Sequence, residues 1–169
     1  MFTLKQLSRD AIPAALQKAE RYRLLGEPYE AESICLDILQ VEPNHQEARI
    51  MLVLALTDQF ATELNPAFTK AREHLERLGD AHCRAYYRGI ISERRAKAHL
   101  AGGGPAAGQL AYQWLRKAMA DFELALENCS PGNQDALLRW NTCARILNEN
   151  PHVIPADEKS EVELADNWD

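Results

Sequence analysis

Residues 12–45, IPAALQKAERYRLLGEPYEAESICLDILQVEPNH, decide how the rest of the chain is read. Apolar residues recur there at three- and four-residue spacing on both sides of Gly26, which predicts two amphipathic helices joined by a short break. Pro13 sits in the opening turn of the first, where its missing amide costs nothing, and Pro43 cannot continue the second. The same spacing runs outward to the end of the body, and β-branched alternating runs are missing. Seven helices are expected: Asp10 to Leu25, Pro28 to before Pro43, His45 to Phe60, Asn65 to Gly79, one capped by Asp80 and ending near Leu100, Gln109 to Asn128, and Asn133 to Asn148. Asn65-Pro66 is the expected start of the fourth, and the AGGGPAAG run of 101–108 the break between the fifth and sixth.

The 34 residues from 12 to 45 resemble a tetratricopeptide repeat. Ala19 and Tyr22 stand at the small and large sites of the first helix, Gly26-Glu27 at the turn, Ala31 at the small site of the second helix, and Pro43-Asn44 at the end. Small residues at such sites let helices approach closely while larger neighbours fill the adjoining space. Ala15, Lys18, Cys35 and Ile38 depart from the family pattern. A second unit, 46–79, fits with roughly six residues inserted between its helices and carries Ala71, Leu75 and Leu78 in its second helix; a third, more irregular, carries Ala118, Phe122 and Ala125. The resemblance implies an all-α fold, a short right-handed superhelix of about three such units, closed by a C-terminal capping helix bearing Ala136, Leu137, Trp140, Ala144 and Leu147.

It also implies an interaction module, an adaptor or assembly factor, rather than an enzyme. Some tetratricopeptide proteins hold an acidic peptide end with a lysine–asparagine clamp on the inner helices, but the matching positions read Leu16, Glu20 and Met51, so the donors for that mode are missing. Leu16, Ile50 and Leu54, with Glu20, Arg23 and Asp58 around them, suggest instead an apolar groove for a helix or peptide segment of a protein partner. The alternative is a structural subunit of a permanent or self-associated complex.

Charge divides the chain into a repeat body, 1–150, and an acidic tail, 151–169. The tail holds Asp157, Glu158, Glu161, Glu163, Asp166 and Asp169 against Lys159, a net −5 out of −6 for the whole chain. An overall basic field, the footprint of a nucleic-acid binder, is missing. The fifth helix is locally basic, with Arg84, Arg88, Arg95 and His99 able to share one side; this surface is a candidate receptor for carboxylates, including those of the tail, where Leu164 and Trp168 would add apolar contact.

Catalytic and metal-binding patterns are represented only by fragments. The five histidines lack H-E-x-x-H spacing, and Cys35, Cys83, Cys129 and Cys143 form no C-x-x-C pair, so no metal or other cofactor is expected and the thiols read as buried and reduced. His74 beside Glu73 and Glu76 reads as part of a solvated face. The glycine loop lacks the lysine and preceding strand of a phosphate-binding loop. With neither a secretory leader nor an 18-residue apolar run, a cytoplasmic location without membrane contact is expected.

Overall fold

A computed structural model describes residues 2–155, and among them every regular element is helical. After a single 3-10 turn at Arg9–Ala11 come α1 (Ile12–Leu24), α2 (Pro28–Val41), α3 (Gln46–Asp58), α4 (Leu64–Leu75), α5 (Ala81–Gly102), α6 (Ala107–Glu127) and α7 (Asp135–Glu149). The seven helices follow the hydrophobic spacing, and their ends follow local chemistry. Asp80 accepts a hydrogen bond from the Cys83 amide at 2.8 Å and caps α5, as its position before the helix predicts. His45 does the same for α3 through Nδ1, at 3.1 Å from the Ala48 amide. The start of α4 differs from expectation: Glu63 precedes it, and Asn65-Pro66 lies inside its first turn, where proline is still tolerated because that amide has no intrahelical partner.

Each helix packs against the next in sequence, and α1, α3, α5 and α7 also touch in that order. The main core runs through these layers, from Ala19, Ala31 and Cys35 to Leu115, Phe122 and Cys143. Small residues set the closest approaches. A Cβ on Gly89 of α5 would lie 2.5 Å from the Phe122 ring of α6, so only glycine lets that buried ring sit against the α5 backbone. Gly108, in the first turn of α6, is needed for a different reason: a Cβ there would come within 2.0 Å of the His152 carbonyl oxygen. The chain beyond α7 therefore folds back onto the start of α6 and buries Val153 in the main core.

Two sequence expectations change. Cys35 and Cys143 are buried, and burial pushes both thiols up to about 12, but Cys83 and Cys129 are only partly covered. His74 does not lie on a solvated face. Its Nδ1 is 3.3 Å from Arg49 Nη1, and Arg49 is itself buried and donates to the Pro43 carbonyl. Burial, then the charges of Arg49 and Arg77, hold the His74 ring below its ordinary value.

Candidate functional site

Of the six residues expected in a groove, Arg23, Leu54 and Asp58 come together. Arg23, near the end of α1, reaches Asp58 at the end of α3 through a 2.7 Å ion pair and directs a second nitrogen toward Met51 Sδ at 3.8 Å. The opposite oxygen of Asp58 receives Arg94 of α5, which also donates to Thr57 Oγ1 at 2.6 Å and to the Leu54 carbonyl at 3.2 Å. Asp58 is thus a carboxylate shared by cations from two flanking helices. Burial draws Arg94 below its ordinary value while Asp58 acts against that shift.

Leu16, Glu20, Arg23 and Leu24 follow the i, i+4, i+7, i+8 spacing of one helical stripe. Leu16 is half-buried in the smaller core at the amino-terminal end, Glu20 is exposed, and Leu24 is 80% exposed. Ile50 is half-buried against the main core.

The face continues from α5 to α7 through Glu93. This carboxylate is completely buried and is met by Lys97 one turn along α5 and by Arg139 of α7, the latter at 3.3 Å. Burial opposes the Arg139 charge, but Glu93 and the Tyr86 hydroxyl outweigh it and hold the guanidinium above its ordinary value. Beside this pair, Tyr86, Asp135, Leu138, Arg139 and Thr142 line an open groove between α5 and α7. Leu138 is 61% exposed there. Tyr86 is held by an edge contact with Tyr87 at 5.1 Å and by Phe122 at 5.9 Å.

The basic stripe expected on α5 is divided among different surroundings. Arg84 donates to the Leu78 carbonyl, and Arg88 pairs with Asp121 of α6 at 2.6 Å, so both already have protein partners. Burial raises the Asp121 carboxyl despite Arg88. Arg95 and His99 have other neighbours. The Arg95 guanidinium stands 3.8 Å from the centre of the Phe68 ring and 4.5 Å from that of Trp114, and it shares the α4–α6 side of α5 with His99. Leu164 and Trp168 fall outside the described residues.

Glu93, Arg94 and Arg139 were not singled out as site residues from sequence. The one local signal was the Glu93/Lys97 spacing of four; the pairs with Asp58 and Arg139 depend on which helices become neighbours. Among the described residues, no group of three or more His, Cys, Asp or Glu side chains could hold a metal ion, and no helix is long and apolar enough to cross a membrane. No family model, curated protein or solved structure matches the chain.

Proposed function

We propose that the chain is a cytoplasmic interaction module of the tetratricopeptide type, three helix-turn-helix units and a capping α7 wound into a short right-handed superhelix. Its inner face, formed by α1, α3, α5 and α7, receives a peptide segment or helix of a protein partner. The observation that carries this reading is the order of contacts: the odd-numbered helices touch in succession and are joined rung by rung through Arg23–Asp58–Arg94 and Glu93–Arg139.

Such rungs fix the spacing of the inner helices, and each carboxylate in them is shared by two cations. Recognition then falls to the apolar and aromatic side chains beside them: Leu24 at one end, and Tyr86 with Leu138 at the other. A partner segment suited to this face carries an apolar or aromatic anchor for the α5–α7 groove and polar groups opposite the Arg23–Asp58–Arg94 rung. Selection from a displayed peptide library tests the reading. The purified chain should enrich one apolar-anchored consensus, and Leu24→Glu with Leu138→Glu should abolish enrichment while the far-ultraviolet circular dichroism stays helical. Enrichment that survives the double substitution would place recognition on another surface, and a chain that never exists free of its own copies would favour the structural-subunit reading.

A further inference from the structure

The opposite side of α5 carries positive charge in a setting unlike that of the inner face. Arg95 lies over Phe68 of α4 and Trp114 of α6, Lys117 Nζ is 4.7 Å from the centre of the Trp114 ring, and Arg72 is 5.7 Å from that of Phe68. Within this cluster Arg95 Nε and His99 Nε2 are buried atoms with no hydrogen-bond partner among the described residues.

These cations repel one another. Burial and then Arg72 bring Arg95 down to about 10; burial and then Arg95 lower His99; burial, then Arg95 and Arg72, lower Lys117, with Asp121 acting the other way. Desolvated like charges gathered over two aromatic rings make a site for carboxylates, because each carboxylate would relieve repulsion and satisfy orphaned nitrogens together.

The sequence contains the matching anion, and the chain delivers it to the right place. The described residues end at Pro155, just after His152 and Val153 pack on the first turn of α6 at Gly108. Lys117 lies nine residues further along α6, about 14 Å away along the helix axis. The fourteen residues 156–169 can extend about 45 Å, and Glu161, six residues past Pro155, already has a reach of about 20 Å, so the acids from Glu161 onward can span that distance. They carry six carboxylates and one lysine, together with Leu164 and Trp168.

We infer that the acidic segment 156–169 docks in cis on the α4–α5–α6 cation cluster, its carboxylates directed to Arg95, His99, Lys117 and Arg72 and its apolar residues to the surrounding rings. The site differs from the α5 surface suggested by sequence spacing in that Arg84 and Arg88 take no part, and it does not depend on the role of the inner face.

Zero-length carbodiimide cross-linking of the full chain, followed by peptide mapping, tests the docking. Amide links from the segment should concentrate on Lys117 in preference to Lys18, Lys70 and Lys97. Their yield should fall several-fold between 0.01 M and 0.5 M salt, as screening shortens the reach of the charges. In a mixture of isotopically light and heavy chains the links should join residues of one copy. An even spread over the lysines, or links mainly between copies, overturns the inference. A second measurement covers a Lys117 amine that fails to react: in the full chain carrying Glu161→Gln, Glu163→Gln and Asp166→Asn, the Trp114 indole N–H resonance should move. A resonance that stays in place, without Lys117 links in the unaltered chain, also overturns it.

Discussion

Arg94 and Arg95 are neighbours in sequence and opposites in setting. Arg94 turns toward α3 and finds a carboxylate, a hydroxyl and a carbonyl, whereas Arg95 turns toward α4 and α6 and meets two aromatic rings and other cations. Successive helical residues point about 100° apart, so one step along α5 exchanges an ion-pair rung for a group of cations over two aromatic rings. Counting charges along a helix therefore says little about binding. What separates a structural arginine from a recognition arginine is whether the fold has already supplied its counter-charge.

The contrast depends first on α5 being fixed in rotation, and the close contact of Gly89 with Phe122 fixes it. Gly89→Leu should cost about 3 kcal/mol or more in a chemical-denaturation experiment, because neither the α6 ring nor the α5 backbone can yield without repacking the core. An unchanged midpoint would mean that α5 can turn, and the two faces would lose their separate identities. The next largest effect is expected at Glu93. Removing this buried carboxylate by Glu93→Ala leaves Arg139 and Lys97 without their shared partner; since both cations are partly exposed, the cost should be about 2 kcal/mol, less than for a fully enclosed pair.

The neighbouring arginines then give the sharpest internal comparison. Arg94→Met should destabilise the chain by about 1 kcal/mol by removing the α5 side of the rung, while Asp58 keeps its pair with Arg23. At 0.5 M salt, where the docked carboxylates are screened, Arg95→Met should be neutral or slightly stabilising, since methionine keeps contact with the rings while a crowded, desolvated charge disappears. Equal losses at the two positions, read from thermal unfolding, would erase the distinction between the faces.

The helices were legible in the sequence because periodicity, proline, glycine and Asp80 all report on local structure, and these remain valid whatever the neighbours do. The start of α4 was less so. Asn65-Pro66 is an acceptable beginning in isolation, but it is equally acceptable one or two residues inside the first turn. Within the site, Arg23, Leu54 and Asp58 were readable because helical spacing puts them beside the apolar stripes of α1 and α3, and the structure joins all three through Asp58 and Arg94. Glu93, Arg94 and Arg139 were not readable: α5 departs from the repeat pattern, and its partners come from helices 36 residues before Arg94 and 46 after Glu93. For the stripe of Arg84, Arg88, Arg95 and His99, a spacing rule cannot see that the Leu78 carbonyl and Asp121 already partner the first two.

The central claim, that the face of α1, α3, α5 and α7 takes the partner, is tested most directly by placing a photo-cross-linking residue at single exposed leucines of the full chain in its native cells. Leu24 and Leu138 sample that face, while Leu36 on α2 and Leu124 on α6 sample the even-numbered helices, and all four are exposed. The expected result is one defined adduct from both Leu24 and Leu138 and none of that mass from Leu36 or Leu124. The same adduct from Leu36 or Leu124, with none from Leu24 and Leu138, would contradict the account.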